Sequence, residues 1–176
     1  MIYIVRHGQT DWSLEGRYAG RKDVKLNIKG IQQAKKIYNE LKNIKFDKVF
    51  SSPLKRAYKT AQIICDNEII TDERLIERCN GELEGKLKEE CLLNIDFNGI
   101  NIGLGIESII SFRKRIYDFF DEITEKYKGK NILIVTHAGV RIYARCDFEG
   151  DPLDGDYSKY KIKNCEVIKY ENDFIK

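Results

Sequence analysis

The sequence predicts an α/β fold of three layers, α/β/α, with a mainly parallel sheet between two layers of helices. Short runs rich in β-branched and aliphatic residues alternate with longer amphipathic segments along the 176 residues. Two of these runs, at residues 2–5 and 131–136, are apolar at nearly every position. Such runs are typical of strands that are buried on both faces of a parallel sheet.

Strands and helices are predicted in alternation. The strands are expected at residues 2–5, 48–51, 68–71, 131–136 and 161–170. The helices are expected at residues 28–41, 52–65, 89–93, 106–127 and 140–147, that at 89–93 being short. Alternation of this kind favours parallel strands joined by crossover helices, because parallel neighbours need long connections.

Local signals mark where the predicted helices begin and end. Asn27 is a candidate N-cap for the first helix. Ser52 before Pro53 predicts the start of the second, with the hydroxyl as cap and proline in the first turn. Gly129 ends the helix at 106–127. The residues expected on the apolar face of that helix are Ile109, Ile110, Ile116, Phe119, Phe120 and Ile123.

Composition predicts one domain, residues 1–176, in the cytoplasm. The net charge of +3 is too mild to favour a nucleic-acid partner. No apolar stretch approaches the length of a membrane span, and the first one is too short for a signal peptide. The five cysteines show no CxxC spacing, which favours free thiols over a disulfide framework or a zinc site. Both a monomer and a homodimer are compatible with the sequence.

The two histidines of the chain occupy the same kind of position. His7 and His137 each follow a predicted strand by one or two residues. Ligands of open α/β sheets bind at the carboxyl ends of the strands, so both imidazoles are expected in one crevice. Arg6 precedes the first histidine, and Arg56 lies early in the helix that follows the second strand. Three strand-to-helix junctions would therefore meet at one site.

Two guanidiniums and two imidazoles at one edge predict a phosphate site. Guanidinium forks match phosphate oxygens, and a helix N-terminus adds free N–H groups. A neutral imidazole can attack phosphorus and form a covalent intermediate. A second imidazole, if protonated, would stabilise charge on the other phosphate oxygens. Spacing alone does not separate this site from a pair of structural histidines.

A series of motifs, in order along the chain, resembles the histidine phosphatase superfamily, which includes the cofactor-dependent phosphoglycerate mutases. They are RHGQTDW at 6–12, DxxLxxxGxxQA at 23–34, SSPLxRAxxTA at 51–61, LxExxxGxLEG at 75–85, ES at 107–108 and VTHAG at 135–139. The resemblance implies a phosphoglycerate mutase-like fold and a phosphohistidine mechanism with neither metal nor cofactor. The expected ligand is a phosphorylated small molecule.

The resemblance also assigns roles to single residues. His7 would be the nucleophile, and Glu77 would protonate the leaving oxygen and then act as base toward water. The residues that would bind substrate are Arg6, Gly8, Ser13, Arg56 and His137, of which Arg6, Arg56 and His137 also belong to the catalytic set. Glycine at position 8 is expected to leave room for the ligand. Only the motif selects Glu77 among its neighbours, with Glu82 and Glu84 as the next candidates.

Three departures from the family pattern bear on function. Ser13 stands where the family usually has asparagine, and Ala138 where it usually has glycine. The lid segment, at about 78–106, is short. A short lid admits water and therefore favours a metal-independent phosphatase acting on phosphomonoesters of small metabolites. Phosphoglycerate mutase-type transfer and a phospholigand-binding member without turnover stay open as alternatives.

Overall fold

The structure is a computed structural model that describes residues 1–91, 104–160 and 163–172. Its centre is a five-stranded sheet with the strand order β3-β2-β4-β1-β5. The strands are β1 (Ile2–Arg6), β2 (Lys48–Ser51), β3 (Ile69–Thr71), β4 (Ile132–Thr136) and β5 (Val167–Tyr170). Neighbouring strands are parallel except β5, which runs antiparallel to β1.

Helices cover both faces of the sheet. They are α1 (Asp11–Leu14), α2 (Ile28–Leu41), α3 (Lys55–Ile64), α4 (Ile109–Lys126) and α5 (Ala138–Glu149). Tyr3 and Val5 of β1 pack with α2 and α3, whereas Ile2 and Ile4 pack with α4 and α5. Successive residues of one strand thus face opposite layers, which confirms the predicted three-layer α/β/α class. Within the described ranges, no helix is long and apolar enough to cross a membrane.

The register of the sheet brings three strand ends to one edge. Arg6 at the end of β1 pairs with Thr136 at the end of β4. His7 N donates to Thr136 O at 2.9 Å, and Ser52 N donates to Val135 O at 3.0 Å. The chain therefore leaves β1, β2 and β4 side by side, because parallel pairing aligns their carboxyl ends.

The helix after β2 begins later than the Ser-Pro signal predicts. Its N-cap is Leu54, without a side-chain cap, and the helix itself starts at Lys55. Ser52 Oγ accepts only a long bond from Leu54 N, 3.3 Å, and lies 2.7 Å from His137 Nε2. The prediction of a capping serine was wrong because a tertiary partner takes the hydroxyl.

The buried face of α4 also differs from the prediction. Ile110 is 79% exposed, whereas Phe112 is 1% exposed and belongs to the core. The helix begins after its N-cap Ser108, whose hydroxyl accepts from Ser111 N at 3.1 Å. At about 3.6 residues per turn, Ile110 lies on the side of the helix opposite Phe119, so Phe112 and Ile116 face the sheet and Ile110 faces solvent.

Several predicted bounds are corrected. The polar loop after β1 contains the short helix α1, which the sequence pattern did not reveal. Residues 89–90 form a turn rather than a helix, and 92–93 lie outside the described residues. The last strand begins at Val167, whereas 161–170 was expected; 161–162 lie outside the described residues.

Candidate active site

Two imidazoles meet where β1 and β4 end. The ring centroids of His7 and His137 are 5.1 Å apart, with 60° between the ring planes. The two residues are 5% and 0% exposed. His7 Nδ1 lies 2.7 Å from Gly8 O. A carbonyl only accepts, so Nδ1 carries the hydrogen and Nε2 carries the lone pair.

Burial and neighbouring cations favour neutral imidazoles. Burial lowers the pKa of His7 well below 6.5, and the charges of Arg56 and Arg6 lower it further. Burial likewise lowers the pKa of His137 well below 6.5, with Arg56 the next cause. The first imidazole is thus neutral at neutral pH, the form in which an imidazole can act as a nucleophile. The protonated state considered for the second is disfavoured until an anion enters the site.

Ser52 connects the end of β2 to the second imidazole. Its hydroxyl oxygen lies 2.7 Å from His137 Nε2, and both residues are fully buried. Within the part of the chain that the structure describes, His137 Nδ1 has no hydrogen-bond partner. Sequence reasoning missed this role of Ser52, although the residue follows β2 at the same sheet edge as the histidines.

Arg56 ties the polar loop to the site. Its Nη1 donates to Lys22 O and its Nη2 to Gly20 O, each at 2.7 Å. Burial lowers the pKa of Arg56, while the charge of Glu77 opposes this. Burial lowers the pKa of Arg6 as well, again opposed by Glu77. Both arginines therefore feel the same carboxylate, which brings three of the predicted site residues together.

Gly8 serves a packing role that the sequence did not indicate. A Cβ at this position would collide with the backbone of Gly30, at the start of α2. Gly8 N donates to Thr60 Oγ1 at 3.1 Å. The space beside its Cα is therefore filled by the protein, and the expectation that glycine leaves room there for the ligand was wrong.

Ser13 caps the start of the short helix α1 together with Thr10. Its backbone N donates to Thr10 Oγ1 at 3.1 Å, and its hydroxyl accepts from Thr10 N at 2.9 Å. The same hydroxyl donates to Thr10 O at 2.8 Å. This capping box shapes the turn after the first motif. Its contact with substrate stays a prediction.

Glu77 lies against the junction that carries the second histidine. Its Oε1 accepts from Arg78 N at 3.0 Å, and its Oε2 accepts from Gly139 N at 3.1 Å. A Cβ at Gly139 would collide with Glu77 Oε1, so glycine permits this approach. The N-terminal turn of α5 thus carries both His137 and the N–H that orients the carboxylate.

The two other candidate acids are held elsewhere. Glu84 Oε1 accepts from Arg21 N at 2.9 Å and from Asn80 N at 3.0 Å. Glu82 is exposed to solvent. Of the three carboxylates considered from the sequence, Glu77 is the one that accepts a hydrogen bond from the histidine junction.

An ion pair that the sequence did not predict supports the loop of Glu77. Arg115 Nε donates to Glu107 Oε1 at 2.8 Å, and Nη2 donates to Glu107 Oε2 at 3.0 Å. Arg115 Nη1 donates to the carbonyls of Arg74 and Ile76, each at 2.6 Å. Burial raises the pKa of Glu107, but Arg115 outweighs this and the net pKa is lowered. The one sequence signal for this ion pair was Glu107, which belongs to the ES motif at 107–108.

The two ends of the predicted lid segment lie together beside Glu77. Glu107 N donates to Cys79 O at 3.0 Å. Asn80 forms an antiparallel bridge with Ile106. The segment between them therefore leaves and rejoins the fold at one place; residues 92–103 lie outside the described residues.

Cations rather than metal ligands characterise this edge of the sheet. Across the described ranges, no group of three or more His, Cys, Asp or Glu side chains could hold a metal ion. Arg6 and Arg56 are instead suited to anionic oxygens.

The fold and its junctions define a class of protein: α/β proteins in which cationic and imidazole side chains gather at the carboxyl edge of the sheet, where such folds bind their ligands. Within that class, the chain belongs to the histidine phosphatase superfamily (branch 1), whose family model matches residues 2–173. The resemblance of the sequence motifs is thereby confirmed.

Relatives and solved structures agree with this assignment. The chain is 36% identical over 164 residues to putative phosphoserine phosphatase 2 from Hydrogenobacter thermophilus, with 87% of this chain and 80% of that protein covered. It is 37% identical over 153 residues to phosphoglycerate mutase-like protein 4 from Arabidopsis thaliana, with 79% and 66% covered. Two solved structures are of Entamoeba histolytica phosphoserine phosphatase: a mutant in complex with phosphoserine, and the phosphatase in complex with 3-phosphoglyceric acid. Each is 29% identical to this chain with a TM-score of 0.82, and the match covers 94% of this chain and 87% of that one.

Proposed function

We propose that the chain is a metal-independent phosphatase that hydrolyses phosphomonoesters of small metabolites through a phosphohistidine on His7. The observation that carries this is the state of His7: buried, neutral, and with Nδ1 bound to Gly8 O so that Nε2 keeps its lone pair. Relatives named phosphoserine phosphatase support phosphoric monoester hydrolysis as the reaction class.

In the first step, His7 Nε2 attacks phosphorus and the bond from phosphorus to the ester oxygen breaks. Glu77, in its protonated form, gives its proton to that oxygen, because an alkoxide is a poor leaving group. The phosphoryl oxygens would be held by Arg6, Arg56 and His137. Arg56 Nη1 and Nη2 each use one N–H for a carbonyl of the loop and keep a second.

In the second step, water attacks phosphorus and the bond from phosphorus to Nε2 breaks. The Glu77 carboxylate takes the proton of that water, which returns both side chains to their starting states. The bond from Gly139 N fixes the orientation of the carboxylate. Binding roles for Gly8 and Ser13 belong to the same proposal, but the Ser13 hydroxyl would have to exchange its present bonds to Thr10.

The same proposal covers organisation and context. One histidine phosphatase domain spans residues 1–176, and the segment 78–106 acts as its short lid. The five cysteines all lie in described parts of the chain and are free thiols, which supports a cytoplasmic location. The partner is a phosphorylated small molecule, neither nucleic acid nor membrane, and the protein acts as a monomer or homodimer.

One experiment tests the activity. Wild type and His7→Ala are incubated with p-nitrophenyl phosphate, phosphoserine and 3-phosphoglycerate in the presence of EDTA, and phosphate release is followed. We expect EDTA-resistant release by wild type and a loss of at least about 10³-fold in His7→Ala, because the nucleophile is gone. Quenched wild type should carry one phosphoryl group on His7 by mass spectrometry.

Other outcomes point to the alternatives. Conversion of 3-phosphoglycerate to its 2-isomer without net phosphate release would favour a mutase, as the phosphoglycerate mutase-like relative suggests. Phosphate binding without turnover of any substrate would favour a phospholigand-binding protein. Equal activity of wild type and His7→Ala, with both proteins folded, would overturn the phosphohistidine mechanism.

A further inference from the structure

A buried arginine outside the predicted catalytic set has no hydrogen-bond partner for its guanidinium among the described residues. Arg141 lies in α5, four residues after His137, and is 1% exposed. Its Nε, Nη1 and Nη2 are all buried, and in the part of the chain that the structure describes none of them has a hydrogen-bond partner. A guanidinium enclosed in this way is costly, because it loses its hydration without gaining an acceptor.

Among the described residues, no carboxylate forms a hydrogen bond with the Arg141 guanidinium. Burial lowers its pKa to about 10, so it stays a cation at neutral pH. The positive charges of Arg6 and Arg145 act in the same direction, while Glu166 opposes them. Glu166 is itself exposed, and its Oε2 accepts from Lys163 N at 2.9 Å rather than from the guanidinium.

Arg141 lies close to the phosphate site rather than in the distant core. Long side chains of a helix lean toward its N-terminus, and the N-cap of α5 is His137. The thiol of Cys165 feels the charges of both Arg6 and Arg141. Cys165 N in turn donates to Arg6 O at 3.0 Å. Arg141 therefore lies within electrostatic range of Arg6, the first arginine of the site.

We propose that Arg141 is a positioning residue of the phosphate site, whose buried guanidinium has no hydrogen-bond partner among the described residues and is balanced by the dianionic phosphate of the ligand. This inference rests on the proposed function. The interaction acts through space, since a charge enclosed by protein is screened less than one in water. The site would thereby select dianionic phosphate esters, at the expense of the stability of the free protein.

The test compares Arg141→Met with Arg145→Met, which removes the same charge one turn further along α5. Arg145 is only partly buried and pairs with Glu149 at 2.8 Å. Thermal unfolding is measured without ligand, and inorganic phosphate binding by calorimetry. For Arg141→Met we expect the Tm to rise by at least about 2 °C and the Kd for phosphate to weaken at least about tenfold. Arg145→Met should show neither change.

A merely structural arginine predicts the opposite pattern. Arg141→Met would then unfold at a lower temperature, or fail to fold, and would bind phosphate as wild type does; any of these results overturns the inference. Arg141→Lys keeps the charge and should retain phosphate affinity within about threefold. If wild type binds no phosphate, the proposed function fails and this inference with it. If wild type binds and Arg141→Met binds equally well, the inference alone fails.

Discussion

The active site combines two regions that hold their side chains by different means. His7, Ser52 and His137 stand at strand ends, where backbone pairing within the sheet fixes their positions. Glu77 stands on a loop, where side-chain bonds from Arg115 hold the backbone around it. The first region takes its geometry from the whole sheet. The geometry of the second depends on a few polar contacts that one substitution can remove.

The largest expected effect comes from removing the loop's carboxylate. Glu77→Gln should lower turnover of phosphoserine by about 10²–10⁴-fold, because the leaving oxygen loses its proton donor. p-Nitrophenol leaves without a proton, so p-nitrophenyl phosphate should still give one rapid turnover, followed by slow release of phosphate. Rapid-quench kinetics with both substrates measures this difference.

The exposed Glu82 provides the matched control. Glu82→Gln should leave both substrates unaffected within about twofold, since surface substitutions rarely matter beyond that. Equal slowing of the first turnover of both substrates by Glu77→Gln would contradict its role as proton donor.

A smaller effect is expected when the support of the loop is removed. Arg115 and Glu107 have side chains that are 17% and 9% exposed. Arg115→Met should lower the free energy of unfolding by roughly 2 kcal/mol, below the range for fully buried pairs because some solvent reaches this one. We expect turnover to fall roughly tenfold, as misplacement of a catalytic group costs rate. Phosphate affinity should change by less than about threefold.

Lys114→Met is the control for that experiment, because Lys114 pairs with Asp118 at 2.6 Å in a solvent-exposed i,i+4 contact. It should cost less than about 0.5 kcal/mol and leave turnover unchanged. Chemical denaturation gives the free energies, and calorimetry gives the phosphate affinity. A matching loss of phosphate affinity and turnover in Arg115→Met would show that the two regions are not independent.

The third effect depends on pH and concerns protonation at the strand ends. Burial lowers the pKa values of His7 and His137 in the folded protein below the ordinary 6.5. Below about pH 6.5 the histidines of the unfolded chain are therefore protonated while those of the folded protein stay neutral. The free energy of unfolding falls as the pH falls toward the folded pKa values. The loss should approach about 1.4 kcal/mol per pH unit for each histidine.

NMR can follow this directly, because the chain contains two histidines. Both imidazole signals of the free protein should still show neutral shifts at about pH 6.5, where an ordinary imidazole is half protonated. Titration of either signal near pH 6.5 would contradict the burial that distinguishes the strand ends from the loop.

The sequence indicates the strand ends better than the loop, for physical reasons. Apolar runs mark buried strands, and the residue types after them mark an anion site, so His7 and His137 could be predicted together. The prediction for Ser52 was wrong because Ser before Pro is a strong local signal for a helix cap. Its contact with His137, in contrast, has no local signal in the sequence. Ile110 is apolar like the core residues of α4, but the helical period of about 3.6 residues places it opposite Phe119, on the solvent side.

Buried charges are the features least visible in the sequence. Arg115 and Arg141 occupy amphipathic helices, where a cation usually faces solvent. Only the docking of α4 and α5 on the sheet encloses them, and no local pattern encodes that event. Glu107 lay within a motif, yet its partner eight residues away was not marked by any motif.

The position of β1 within the sheet also bears on how the chain is made. Ile2 pairs with Ile132 on one side and with Tyr170 on the other, so during synthesis β1 waits for β4 and β5, which lie far along the chain. At ~5–20 residues per second, this wait is on the order of ten seconds. During that time the apolar strand β1, which precedes His7, has no partner from its own sheet. Until β4 emerges, both edges of β1 are unpaired, and unpaired apolar strand edges promote aggregation of a nascent chain.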